Sequence, residues 1–258
     1  MELNYRSFGE GYPVIILHGL FGSLDNWQTF AKKLAVNFQV YILDQRNHGR
    51  SPHAQDFNYE VLAEDLQLFM QDRWIYEAHI IGHSLGGKTA MQFALQYPDY
   101  VNRLLILDIA PRAYSAGHQA IFDALLSVDT SRIGSRKLID DYLKEKIKEH
   151  GVRQFLLKNL KRTKAGEFEW KMNLPVLYRN YPQILEALES EEAFEKPVLF
   201  VRGGRSNYIK NEDLSLIKTF FPQAELASIE SAGHWIHADA PEELLKLVNA
   251  FLNPVEFE

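Results

Sequence analysis

The sequence predicts an α/β protein with a mostly parallel central sheet, helices on both faces and a helical insertion. Three observations carry that prediction. Short continuous apolar runs rich in β-branched residues recur along the chain, the pattern of strands buried on both faces. Segments of helical period separate these runs. One run leads directly into Gly82-His83-Ser84-Leu85-Gly86, a Gly-x-Ser-x-Gly sequence at a strand-to-helix boundary.

The strand candidates are Val14-Ile15-Ile16-Leu17, Val40-Tyr41-Ile42-Leu43, His79-Ile80-Ile81, Leu104-Leu105-Ile106-Leu107, Val198-Leu199-Phe200-Val201 and Ala224 to Ile229. Tyr59, Leu62, Ala63, Leu66 and Phe69 or Met70 follow helical spacing, and so do Leu244, Leu247, Val248, Phe251 and Leu252, with Pro241 suited to a first helical turn. Lys88 to Tyr97 reads as the helix after the serine. Strands alternating with helices imply a parallel sheet covered on both sides, whose ligands sit at the carboxyl ends of the strands. Ser84, Asp108 and the segment after Val201 fall at those ends. Between Arg112 and Lys196 helical patterns follow one another with no convincing strand. The expected organisation is therefore a core of residues 1–111 and 197–258 with an inserted helical lid, 112–196.

Composition narrows the function classes. The chain has 258 residues, a net charge of −6 and no cysteine. That charge disfavours a nucleic-acid partner, and the missing thiols exclude disulfides, thiol catalysis and cysteine-ligated metal. Pro13 to Leu17, the first apolar run, is too short to span a bilayer and no basic leader precedes it, so stable membrane insertion is not expected and the cytoplasm is the default location. From Ser131 to Lys171 the lid carries twelve Lys or Arg against six Asp or Glu. A solvated helix face accounts for this; the sharper alternative is attraction of an anionic substrate, such as a coenzyme A thioester, or of a lipid surface.

The chemistry centres on Ser84. A sharp turn there exposes the hydroxyl above the sheet, Gly82 and Gly86 let strand and helix pass closely, and the Leu85 N–H faces the place where an oxyanion would develop. A serine needs a base, and His234, on the loop between the last strand and the last helix, is the candidate, with His237 as its local competitor. The base needs an orienting acid. The position usual for that acid, after Val201, carries Ser206, and Asp213 reads as a helix start; Asp108, ending the neighbouring strand, is the preferred carboxylate, with Ser206 placed to bond to Asp108 or His234. His18-Gly19-Leu20-Phe21-Gly22 supplies a second oxyanion donor, the Leu20 N–H before that of Phe21. Phe21, His83 and Trp235 are expected to line the substrate pocket. Asp44 and His48 read as parts of a hydrogen-bonded loop rather than as metal ligands, and neither metal nor cofactor is expected.

Together these motifs resemble the α/β-hydrolase superfamily over nearly the whole chain. Gly19-Leu20-Phe21-Gly22-Ser23-Leu24-Asp25-Asn26-Trp27, Arg46-Asn47-His48-Gly49 and Leu107-Asp108-Ile109-Ala110-Pro111 are similar to a narrower group, the bacterial YbfF-type esterases with the related α/β-hydrolase domain-containing protein 11. The resemblance implies hydrolysis of carboxylic esters, short acyl esters included and acyl-CoA thioesters as an extension. It also implies an acid after the sixth strand, at Asp108, and a serine at the usual acid position, Ser206. The expected partner is a small-molecule ester or thioester. The alternatives are a carbon–carbon bond hydrolase, acyltransferase or lyase on the same residues, and a binding module without turnover.

Overall fold

The computed structural model describes residues 1–130 and 132–253. In chain order its elements are β1 (Tyr5–Phe8), β2 (Pro13–Leu17), α1 (Gln28–Leu34), β3 (Gln39–Leu43), α2 (Tyr59–Asp72), β4 (Ala78–His83), α3 (Leu85–Gln96) and β5 (Val101–Leu107). Then come α4 (Gln119–Leu126), α5 (Arg136–Lys146), α6 (His150–Leu157), β6 (Leu160–Arg162), β7 (Phe168–Trp170), α7 (Leu174–Arg179) and α8 (Tyr181–Leu185). The chain closes with β8 (Val198–Gly203), α9 (Asp213–Phe220), β9 (Ala224–Ile229), α10 (Ile236–Asp239) and α11 (Pro241–Leu252).

Seven strands form one sheet in the order β1-β3-β2-β4-β5-β8-β9. Every pairing is parallel except β1 with β3. All six strand candidates lie in this sheet. The unexpected strand is β1, a short, largely exposed edge whose residues carry no apolar run.

Side chains alternate across the sheet and build two apolar layers. Ile15, Leu17, Ile80, Leu104, Ile106 and Phe200 face α2, α3 and the insertion, meeting Leu66, Met91, Phe93 and Phe122. Val14, Ile16, Ile42, Ile81, Leu105 and Val201 face α1 and α11, meeting Phe30, Leu34, Leu244 and Val248. The central strands β2, β3, β4, β5 and β8 are thus largely buried on both faces, as their apolar runs require.

Elements α4 to α8 lie between β5 and β8, where the insertion was expected. One expectation is corrected: this stretch does contain strands. β6 and β7 form a two-stranded antiparallel hairpin in which Leu160 pairs Trp170 and Arg162 pairs Phe168. Gly166, at φ 86°, shapes its turn. Three-residue strands are too short to stand out against the flanking helical periods. Ser131, where the basic stretch begins, lies outside the described residues. No helix among the described residues is long and apolar enough to cross a membrane.

Candidate active site

β4 ends at His83 and α3 begins at Leu85, so Ser84 alone makes the turn between them. The helix starts three residues before the expected Lys88 and ends at Gln96. Ser84 has φ 53° and ψ −117°, a conformation that L-residues pay for with roughly 1–3 kcal/mol. The glycines around it are a matter of space. A Cβ on Gly82 would lie 2.2 Å from the Gly86 carbonyl oxygen, and one on Gly86 would lie 2.4 Å from that of Leu17. The strand and helix can therefore pack this closely only without those side chains. The turn aims the positive end of the twelve-residue α3 at the cavity in front of Ser84.

Asp108 directly follows β5, and its amide donates to the Val201 carbonyl of β8 at 2.9 Å. It too has a positive φ, 51°. Its carboxylate is fully buried and accepts three bonds. Gly203 N–H donates to Oδ1 at 3.1 Å, while His234 Nδ1 at 2.7 Å and the Ser206 hydroxyl both reach Oδ2. The sequence-derived acid and base are therefore in contact, with Ser206 as a second donor to the acid. With Nδ1–H committed to Asp108, the His234 Nε2 carries the free lone pair. Ser84 Oγ has no hydrogen-bond partner among the described residues, and Ser84 and His234 line the same two cavities.

The other histidines separate cleanly from His234. His83 Nε2 lies 2.8 Å from the His234 carbonyl oxygen, so it braces the loop that carries His234. Burial, then repulsion from His234 and His237, lowers its pKa well below the usual imidazole value. His237 stacks on Trp27 at 4.2 Å, and burial pushes its pKa down to about 3. No carboxylate bonds to its ring among the described residues. Asp213 stands at the start of α9, accepts from the Lys210 amide at 2.8 Å and pairs with Arg112 at 2.9 Å.

The turn after β2 closes with a Gly22 N–H to Gly19 carbonyl bond of 2.9 Å. Its left-handed residue is Phe21, at φ 60°, rather than either glycine. Gly19 serves close approach instead, since a Cβ there would come within 3.2 Å of the Ser84 Cβ. His18 holds the turn from below: its Nδ1 lies 2.9 Å from the Gly19 carbonyl oxygen and its Nε2 accepts from the Gln45 amide at 3.1 Å. Asn159 of the insertion donates to the Phe21 carbonyl at 2.6 Å. Neither the Leu20 nor the Leu85 N–H has an acceptor among the described residues, so both are free for a ligand. Asp44 braces the next loop, accepting from the amides of Leu24 and Arg50 at 2.8 and 2.9 Å.

Two cavities meet at Ser84 and His234. One, of about 250 Å³, has an apolar wall that includes Phe21, Val152, Phe155, Leu156 and Trp235, with His83 also on its lining. The other, of about 540 Å³, runs between Lys88, Arg112, Tyr114 and Ser206. Leu20, Gly117, His118 and Tyr208 line both. None of the basic residues between 132 and 171 lines either cavity, which counts against their drawing an anionic substrate into them.

Several residues here escaped the sequence reading. The Tyr208 ring stacks on the face of the His234 imidazole at 3.9 Å and 18°, while Asp108 holds the ring by its Nδ1 edge. Tyr114 donates to the Tyr208 carbonyl at 2.7 Å and accepts from the Ala110 amide at 2.8 Å, tying the loop after Asp108 to the loop after β8. Nothing in local sequence marks these tyrosines; their partners are distant in the chain.

The alpha/beta hydrolase fold family matches residues 12–241. Esterase YbfF of Escherichia coli (strain K12) is 37% identical over 242 residues, covering 93% of this chain and 93% of that protein. The sn-1-specific diacylglycerol lipase ABHD11 of Mus musculus is 38% identical over 247 residues, covering 93% of this chain and 80% of that protein. Among solved structures, a marine microorganism esterase is 43% identical with a TM-score of 0.95, over 97% of this chain and 99% of that one. The chain belongs to the alpha/beta hydrolase fold family.

Proposed function

We propose that this protein hydrolyses carboxylic esters through an acyl-enzyme on Ser84. The observation that carries the proposal is the hydrogen bond of 2.7 Å between His234 Nδ1 and a buried Asp108 carboxylate, beside a serine in a strained strand-to-helix turn. Ser84 Oγ attacks the ester carbonyl as His234 Nε2 takes its proton. Asp108 holds the imidazole in the tautomer that can accept and stabilises the imidazolium that results. The free N–H groups of Leu85 and Leu20 receive the oxyanion. Collapse expels the alcohol, which takes the proton from His234. Water then attacks the acyl-enzyme with His234 again as base, releasing the acid and restoring Ser84.

The reading requires Ser84 Oγ and His234 Nε2 to close to hydrogen-bond distance with substrate; such bonds are often long in unliganded enzymes and tighten in the complex. The insertion supplies Val152, Phe155 and Leu156 to the smaller cavity, which suits an acyl chain, and it acts as a lid in this scheme. The two relatives, an esterase and a diacylglycerol lipase, are both named for action on carboxylic esters. Acyl-CoA thioesters react by the same steps with a thiol leaving group.

The test is a chain-length series of p-nitrophenyl esters beside acyl-CoA thioesters, run on the wild type and on Ser84→Ala. Turnover that vanishes in Ser84→Ala at unchanged thermal stability supports the proposal. Undiminished cleavage by that variant refutes it.

A further inference from the structure

The larger cavity contains a cation that ester hydrolysis does not use. Lys88 lies on α3 four residues after Ser84, about one helical turn along. It is only 1% exposed and lines this cavity. Its ammonium donates to the Glu186 carbonyl and stands 5.6 and 5.2 Å from the ring centres of Tyr59 and Tyr114. An ammonium has three donors, so that single carbonyl leaves capacity unused.

The cavity lining includes Lys88, Arg112, Arg205 and Lys210 and no Asp or Glu. Arg112 pairs with Asp213 at 2.9 Å, Lys210 with Glu212 at 3.3 Å and Arg205 with Asp239 at 3.7 Å. Among the described residues, Lys88 alone of the four has no carboxylate at ion-pair distance. A buried ammonium with no carboxylate at ion-pair distance is costly, and a purely apolar pocket has no need of one, since a Leu or Met would fill similar space. Burial, reinforced by Arg112 and partly opposed by the Glu186 carboxylate, lowers the Lys88 pKa to about 7, the direction that an arriving anion would reverse.

We propose that this cavity is a carboxylate subsite: the protein takes short esters that carry a second, free carboxylate, and Lys88 binds that group while Ser84 meets the scissile carbonyl. The inference rests on the hydrolytic reading of Ser84. Ser84 and Lys88 line one cavity of about 540 Å³, which has room for a short substrate such as a four- or five-carbon dicarboxylic acid hemiester.

Two matched pairs test it. Monomethyl glutarate against methyl hexanoate puts the carboxylate on the acyl side. 3-Acetoxypropanoate against butyl acetate puts it on the alcohol side. The wild type is expected to prefer the anionic member of at least one pair in kcat/KM. Lys88→Met should lower that anionic-to-neutral ratio roughly ten- to hundredfold, the range for losing a charged hydrogen bond. Glutarate should also inhibit the wild type competitively, and more strongly than pentanamide, a readout that needs no variant. Equal rates within both pairs, with glutarate no better an inhibitor than pentanamide, would overturn the subsite. Should no ester be cleaved at all, the hydrolytic reading fails instead, and calorimetric titration with glutarate judges the subsite alone: binding lost in Lys88→Met supports it, and no binding to the wild type refutes it.

Discussion

Replacing Asp108 by Asn tests the orienting role of the acid with little change in volume. Asp108 Oδ1 accepts from the Gly203 amide at 3.1 Å, and Oδ2 accepts from His234 Nδ1 at 2.7 Å and from Ser206. An Asn can satisfy Gly203 with its one oxygen, but its NH₂ then points at His234 Nδ1. That nitrogen must become the acceptor, and the proton moves to Nε2, the atom that has to accept the Ser84 proton. Loss of the productive tautomer costs on the order of 10³–10⁴ in kcat in triads of this kind, about 4–5 kcal/mol of barrier. Steady-state hydrolysis of p-nitrophenyl butyrate at pH 7.5 measures it, with KM and thermal unfolding as controls. The expected pattern is a kcat loss of that size at nearly unchanged KM. Asp213→Asn should leave kcat within a fewfold, because its carboxylate serves Arg112 and the start of α9. A loss below tenfold in Asp108→Asn, or a larger loss in Asp213→Asn, would show that Asp108 is not the acid that orients His234.

Other outcomes follow from the same geometry. Gly82→Ala forces a Cβ to within 2.2 Å of the Gly86 oxygen, so it should destabilise the fold by about 1–3 kcal/mol or more in urea unfolding, whereas Gly134→Ala, with open space around it, should be nearly neutral. His18 and His48 are buried with pKa values lowered by burial to about 4 and about 3. Each binds a proton in the unfolded chain below about pH 6.5 and refuses it in the fold, so stability falls as pH drops through 6.5 toward those values. Protonating His18 Nε2 would also set it against the Gln45 amide it now accepts from. Between pH 7.5 and 5 each such histidine should remove on the order of 2 kcal/mol, read as a falling urea midpoint; a flat midpoint would contradict this. Tyr208→Leu removes the ring stacked on His234 and should lower kcat more than it alters KM, with a loss smaller than that of Asp108→Asn.

Much of this protein is legible in its sequence for definite reasons. Strands buried on both faces leave continuous apolar runs, so β2, β3, β4, β5 and β8 are located by those runs, whereas β9, with Glu225 and Ser228 in it, follows from the expected order of elements. The edge strand β1 is exposed at Tyr5, Arg6 and Ser7 and has no such run, and β6 and β7 are three residues each. Ser84 and Asp108 stand at strand ends, where parallel sheets gather their ligands, and Gly82 and Gly86 flag the close crossing beside the serine. Gly19 and Gly22 marked the right turn, yet Phe21 carries its positive φ, and Gly19 is there to keep clear of Ser84. Lys88 was hidden because a lysine reads as a solvent-facing residue, whereas here it is buried with the rest of α3. Tyr208 and Asn159 act through partners far away in the chain, which no local pattern records.

The central claim is that Ser84 is a nucleophile activated by His234. Intact-protein mass spectrometry after treatment with a fluorophosphonate addresses it most directly, since the reagent reports the activated hydroxyl whatever the natural substrate. A single adduct is expected, located on the peptide containing Ser84, absent in Ser84→Ala and slowed by orders of magnitude in His234→Ala. An unmodified wild type, or an adduct that persists in Ser84→Ala, would contradict it.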